Sequence, residues 1–198
     1  MLSHKISPDE VVNEAKVVAV IGASKNPEKD AFSVPLYLME NGFVIVLVNP
    51  SADAIHGVKA FPSLAQLPAE VAKRVEVVDV FRPSEELAGI ARQVVEMHKR
   101  TGKTAIFWAQ LGLQSVEAAR ILEEGGIPYI MDACIRTQHQ DYSRRVPSDH
   151  RVNAPWHHGN PMPTNPTRIE RVEWHLSHAK ECGCRPVPPT LSADVASL

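Results

Sequence analysis

Neither sign of charge is in surplus in this sequence: 21 Lys and Arg stand against 23 Asp and Glu, a formal net charge of −2 over 198 residues. With no basic excess to displace counterions, the chain is a poor fit to nucleic acid or to an anionic membrane surface, and neither is expected as a partner. Long apolar runs are missing too. The longest are strand-sized, and the opening MLSHKISPDE lacks the apolar stretch of a secretory signal, so secretion and membrane insertion are disfavoured and a cytoplasmic location is expected. Cysteine is scarce. Three residues, an odd number, make no disulfide framework in a chain of this size and fit a reducing compartment.

What is present is enough apolar material for a real core, 44% of the residues, hence one ordinary domain plus an extension. The organising stretch is residues 17–34, VVAVIGASKNPEKDAFSV. Val17, Val18, Val20 and Ile21 form a short β-branched run suited to a strand buried on both faces of a parallel sheet. The run breaks at Gly22, where a tight turn brings backbone close to a ligand and the next helix points free N–H groups at phosphate. The second and third glycines of the dinucleotide fingerprint are replaced by Ser24 and Pro27, so a wider turn is expected. Ala23, the Ser24 hydroxyl, the Lys25 charge and the Asn26 amide then share the phosphate site with the backbone.

Further strands are expected at residues 43–48 (FVIVLV), 75–81 (VEVVDVF), 104–109 (TAIFWA) and 129–131. Helices are expected from Ser7, with Glu10 completing a capping box; over residues 34–41, starting after Asp30 because Pro35 is tolerated only in a first turn; from Ser84, as cap, to about residue 100; and over residues 115–124. Residues 60–67 read as a loop. Strict alternation implies an α/β fold, a Rossmann-type doubly wound parallel sheet of five strands in the order 3-2-1-4-5. Ligands of such sheets lie beyond the carboxyl ends of the strands, at the switch point. Residues 22–26, Asn49-Pro50, Phe81-Arg82, residues 110–112 and Cys134 all fall on that edge.

Two regions follow: a nucleotide-binding domain over residues 1–140 and a C-terminal extension over 141–198. Beyond Asp141 lie half of the sixteen prolines, and one helix is expected at residues 167–181, its apolar stripe being Ile169, Val172, Leu176 and Ala179 behind a Thr167/Glu170 capping box. That stripe must dock on the main domain or on a neighbouring subunit, so a homo-oligomer is expected. His175, His178 and Cys182 fall on one helical face, with Cys184 in reach, a loose match to a tetrahedral zinc set that a solvated helix end explains as well. No metal site is assigned.

The ribose position of NAD proteins, a carboxylate ending the second strand, holds Asn49, and no arginine stands near it for NADP. A neutral amide tolerates a ribose 3′-phosphate, which points to coenzyme A. An NAD(P)-dependent oxidoreductase is the alternative, and a protein-interaction module with an unoccupied pocket is the third reading.

The segments GASKNPEK, YLMENGFVIVLVNP, VDVFRPSEE, WAQLGL and MDACI, in that order, resemble the small stand-alone CoA-binding proteins, which are similar to the CoA-binding domain of succinyl-CoA synthetase α-subunits. The resemblance covers residues 12–139. It implies a Rossmann-type fold and a CoA site at Gly22, Ala23, Ser24, Asn26, Asn49, Pro50, Phe81, Arg82, Gln110, Leu111 and Gly112. The chain departs from the family pattern at Asp30-Ala31, where Pro-Ser is usual, and at Ala133 and Pro83, where basic residues are usual. No catalytic residue is assigned. Cys134 with His139 offers a thiolate–imidazole pair, but a small apolar residue closing the last strand is the favoured reading. His56 and His98 read as surface residues. The expected function is binding of CoA or an acyl-CoA, with no catalysis demonstrated and an enzyme the less expected outcome.

Overall fold

The structure, a computed structural model, describes residues 6–145, 156, 159–162 and 166–181. The chain divides into two compact units, Met1–Tyr142 and Ser143–Leu198. In chain order the described elements are α1 (Pro8–Glu14), β1 (Val17–Ile21), α2 (Asp30–Glu40), β2 (Val44–Val48), β3 (Ala54–Ile55), β4 (Val58–Phe61), α3 (Ala69–Ala72), β5 (Val77–Val80), α4 (Leu87–Thr101), β6 (Ile106–Ala109), α5 (Val116–Glu124), β7 (Tyr129–Ile130), α6 (Ile135–Arg145) and α7 (Arg168–Glu181).

The sheet has seven strands rather than the expected five, in the order β3-β4-β2-β1-β5-β6-β7. All neighbours are parallel except β3 and β4, which form a hairpin. The place beside β2 that the sequence reading gives to the strand ending at Phe81 belongs to β4, and that later strand, β5, pairs instead with the other side of β1. The hairpin escapes periodicity because its arms have two and four residues. Its turn is His56-Gly57, with φ of 54° and 74°, the doubly positive backbone that matches the strand twist but that a histidine seldom adopts. Apart from the antiparallel β3, the strands run 3-2-1-4-5-6, a Rossmann-like arrangement whose switch point lies between β1 and β5.

Alternate side chains of the buried strands feed two cores. Ala19, Val78, Val80 and Phe107 meet Leu87, Val94 and Leu122 from α4 and α5 on one face. Val18, Val20, Val77 and Trp108 meet Val11, Val34, Leu38 and Ile135 from α1, α2 and α6 on the other. Fully buried parallel strands read as continuous apolar runs for this reason.

Two helix starts differ from expectation. α2 begins at Asp30, with Pro35 inside it; the helical bond lost at Pro35 leaves the Ala31 carbonyl free, and the Ser24 N–H takes it at 2.9 Å. α4 begins at Leu87 after a single 3₁₀ turn at Ser84–Glu86, and Ser84 Oγ accepts from the Gln114 N–H at 3.2 Å instead of capping its own helix. His56 is half-buried rather than a free surface residue: its Nε2 lies 3.0 Å from the Phe32 carbonyl and its ring packs on Phe32.

In the second unit α7 carries the expected box, Thr167 N–H donating to Glu170 Oε2 at 2.8 Å and Glu170 N–H to Thr167 Oγ1 at 3.3 Å. Its buried face is not the expected stripe. Val172 is buried and Leu176 half-buried, but Ile169 is 70% exposed and Ala179 is exposed, while His178 is buried with its ring stacked on Trp174 at 4.9 Å. An indole and an imidazole join Val172 and Leu176 on that face in place of Ile169 and Ala179. Cys182 and Cys184 lie outside the described residues. No helix among the described residues is long and apolar enough to cross a membrane.

Candidate functional site

The strand register brings the site residues into line. Ile21 pairs with Val48 and with Val80, and Val80 pairs with Ala109. Gly22, Asn49, Phe81 and Gln110 are therefore the residues that immediately follow the last rungs, and each is held to its neighbour: Gly22 N–H to the Val48 carbonyl at 3.0 Å, Asn49 N–H to Phe61 at 2.9 Å, Phe81 N–H to Ile21 at 2.9 Å, Gln110 N–H to Val80 at 3.3 Å.

Gly22 turns the chain with φ of 86°, and a Cβ there would meet Arg82 Cδ at 2.8 Å. Glycine is thus required by backbone conformation and by the neighbouring side chain at once. Ala23 beyond it is buried. The loop then holds its own shape: Ser24 Oγ accepts from Asn26 N–H at 3.0 Å and Asn26 Oδ1 from Glu28 N–H at 3.0 Å, leaving Lys25 exposed. The turn uses these two side-chain oxygens as acceptors, as small hydroxyl and amide side chains commonly serve, and does not draw on the Ser24 O–H or the Asn26 NH₂ that the sequence suggests for phosphate.

Asn49 has a use the sequence reading missed. Its Nδ2 donates to the Ala23 carbonyl at 2.7 Å and its Oδ1 accepts from Ser51 N–H at 2.7 Å, so one amide ties the β2 turn, with exposed Pro50 in it, to the glycine loop. A carboxylate has no donor for that carbonyl. Phe81 is half-buried. The Arg82 guanidinium forms a fork with Glu86, Nε to Oε2 at 2.9 Å and Nη2 to Oε1 at 2.6 Å. This exposed pair holds the Glu86 carboxyl below and the Arg82 guanidinium above their ordinary ranges.

On the far side Gln110 is buried and donates its Nε2 to Asp79 Oδ1 at 2.6 Å. Asp79 is wholly buried on β5, and burial, partly offset by the Gln110 bond, pushes its carboxyl up to about 7. Leu111 next to it is 71% exposed, an apolar rim. Gly112 donates its N–H to Asp132 Oδ1 at 2.6 Å, while Oδ2 accepts from Gln114 Nε2 at 2.8 Å. Asp132, at φ of 58°, thereby closes the residue 110–114 loop. The charge at Asp30 is answered by α6, since Arg136 reaches Asp30 Oδ1 at 3.3 Å and Ser33 Oγ at 3.1 Å.

Asp79, Asp132 and Arg136 were not singled out in the sequence. For Asp79 a signal existed, a lone carboxylate within the apolar run VEVVDVF. Cys134 is half-buried beyond β7. His139 does not serve it: its Nδ1 bonds the Tyr37 hydroxyl at 2.7 Å, its ring packs on Phe43, and burial holds its imidazole below the ordinary range. Among the described residues no group of three or more metal-ligating side chains comes together.

The model of a family described as CoA binding domain matches residues 16–140, more than half of the chain. The uncharacterized protein YneT of Bacillus subtilis is 36% identical over 130 residues, which are 66% of this chain and 90% of that protein. An acetate–CoA ligase (ADP-forming) of Archaeoglobus fulgidus is 37% identical over 83 residues, 41% of this chain but only 12% of the ligase. Among solved structures, a Thermus thermophilus protein superposes with a TM-score of 0.60 at 32% identity, covering 69% of this chain and 99% of its own. A hypothetical protein of Pyrococcus horikoshii gives 0.61 at 27% identity, over 69% and 92%.

Proposed function

The chain belongs to the CoA binding domain family, and from that premise we propose that it binds coenzyme A or an acyl-CoA at the carboxyl edge of its sheet, as a binding protein. The observation that carries the reading is coverage: the family match over residues 16–140 contains every residue of that edge, from Gly22 to Gly112. In this reading the ADP moiety lies over Gly22, Ala23, Ser24, Lys25 and Asn26; the Gly22, Ser24 and Asn26 N–H groups are held by Val48, Ala31 and Ser24 Oγ, so the Ser24 hydroxyl, the Lys25 ammonium and the Asn26 side-chain amide serve as donors to phosphate. The neutral Asn49, with Pro50, faces the ribose 3′-phosphate. Phe81 and Arg82 flank the loop, the guanidinium exchanging Glu86 for a ligand phosphate. The pantetheine arm runs past Gln110 and Gly112, with its apolar part on exposed Leu111. The protein acts as a cytoplasmic homo-oligomer.

Native mass spectrometry of freshly purified protein identifies a retained nucleotide, and calorimetry with CoA, acetyl-CoA and NAD ranks them. CoA or its thioester is expected to bind at least about tenfold more tightly than NAD, roughly 1.4 kcal/mol. Tighter binding of NAD would overturn the assignment.

A further inference from the structure

We infer that Asp79 is a positioning residue for the ligand edge: through Gln110 it decides whether that edge presents a hydrogen-bond acceptor or a donor to the bound molecule. The inference rests on the placement proposed above. It starts from an unusual pair. Asp79 sits on β5 in register with Val20 of β1 and Trp108 of β6, wholly buried, with Oδ1 bound to Gln110 Nε2 at 2.6 Å and Oδ2 without a hydrogen-bond partner. A buried polar atom left alone is costly, and the fold tolerates one directly under the edge where ligands of such sheets bind.

The chemistry of the two groups gives the pair its consequence. A carboxylate only accepts, so an ionised Asp79 holds the Gln110 NH₂ inward and leaves the Gln110 carbonyl for the edge. A protonated carboxyl carries one O–H, which the Gln110 carbonyl can accept; the amide then turns and its NH₂ faces outward. The edge is an acceptor in the first state and admits a donor in the second. A ligand whose arm carries secondary amide N–H groups, as pantetheine does, is served by the first.

Proton exchange at Asp79 is set by burial rather than by neighbouring charge. On its face of the sheet β1 contributes Val18 and Val20, α2 Val34 and Leu38, β6 Trp108 and α6 Ile135. The titratable groups on the elements of that face include the half-buried Tyr37, Cys134 and Tyr142, His139 bonded to Tyr37, the Arg136–Asp30 pair that joins α6 to α2, and Asp9, Glu10 and Glu14 of α1. At the edge itself stand Arg82, paired with Glu86, and Asp132, which holds the Gly112 N–H. Burial is the largest cause of the raised carboxyl affinity for its proton, and no charged residue enters it.

Dephospho-CoA is the proper probe, because it lacks the phosphate monoester whose own proton leaves near pH 6. Its affinity for the full chain should rise about threefold or more from pH 5.5 to pH 8.5, and the Asp79→Asn protein, folded by circular dichroism, should vary by less than about 1.5-fold over the same range. Ligand-free wild-type protein gives a second measurement that does not need the variant: the Asp79 carboxyl carbon and the Gln110 side-chain amide should shift with one common midpoint in NMR spectra. An identical pH profile in wild type and Asp79→Asn overturns the inference, as does a Gln110 amide that stays still while Asp79 titrates. If wild type binds dephospho-CoA at no pH, the site assignment falls instead, and the NMR titration still decides the pair.

Discussion

The backbone N–H of Ser24 donates to the carbonyl of Ala31 at 2.9 Å, the carbonyl that Pro35 leaves without a helical donor. A residue that ordinarily weakens a helix here joins the first turn of α2 to the glycine loop. Pro35→Ala supplies a competing N–H. The helix should gain up to about 1–3 kcal/mol less whatever packing the buried proline ring loses, while the Ser24 amide loses protection. Hydrogen exchange followed residue by residue should show Ser24 exchanging about tenfold faster with the amides of β1 unchanged. Unchanged protection of Ser24 would mean that the loop is held by its Ser24 and Asn26 side-chain turns alone.

Asn49 ties two loops through one amide, so its replacement tests structure and binding together. In Asn49→Asp the Ala23 carbonyl loses its donor and faces a carboxylate, a change expected to cost about 1–3 kcal/mol by urea denaturation. Both CoA and dephospho-CoA should bind less well through the displaced loop, with CoA losing more because the new charge also opposes its 3′-phosphate. Equal losses for the two ligands would place the 3′-phosphate away from Asn49.

Asp79 makes stability depend on pH in a stated direction. Its carboxyl lies near 7 in the folded protein and near 3.8 when unfolded, so the native state binds the extra proton between those values. Stability is full below about pH 4 and is lost as pH rises toward 7, by about 2–3 kcal/mol between pH 5 and pH 7 at one pKa unit per 1.36 kcal/mol. Asp79→Asn should abolish that slope. Urea midpoints of both proteins across the range check it, and parallel slopes would show that the carboxyl is not raised.

Much of this arrangement is legible in the sequence. Buried parallel strands are continuous apolar runs, and VVAVI, VIVLV and IFWA announce themselves because helices cover both faces of the sheet. The hairpin at residues 54–61 is not legible, since two paired residues in one arm carry no period and His56 occupies a backbone region that usually signals glycine. The helical Pro35 is hidden for a different reason: the bond that excuses it comes from Ser24, in another element. The edge residues can be listed from the sequence, but their partners cannot. Nothing local says that Asn49 holds Ala23 or that Gln110 bends back to Asp79, 31 positions away in the chain.

Val172 and Ile169 separate the expected stripe of α7 from the observed one. Val172 is 3% exposed and Ile169 70%. Val172→Asp buries a charge and should destabilise the second unit by several kcal/mol, whereas Ile169→Asp should stay within about 0.5 kcal/mol. Emission from Trp156 and Trp174 reports that unit, with Trp108 as the buried reference in the first. Light scattering on Val172→Asp then tests the proposed oligomer, since a reduced mass is expected if α7 serves a neighbouring subunit.

Gly22 is constrained twice, and the two constraints can be measured apart. A Cβ there lies 2.8 Å from Arg82 Cδ, a contact with a flexible side chain that can move, whereas φ of 86° strains an L-residue whatever surrounds it. Gly22→Ala should therefore cost about 1–2 kcal/mol from backbone strain plus a steric part, and should weaken CoA binding at least about tenfold by displacing the Arg82 side chain from beside the loop where it would meet the ligand phosphate. Combining it with Arg82→Ala removes the steric part only. In a double-mutant cycle the pair should be less destabilised than the sum of the singles by more than about 0.5 kcal/mol, the coupling expected of residues in contact. CoA binding should not return in the double variant, because the guanidinium is itself needed at the phosphate. If the double variant recovers full affinity, Arg82 is a steric neighbour of the loop and not a ligand group; if the cycle is additive, the arginine stem does not rest on Gly22 in solution.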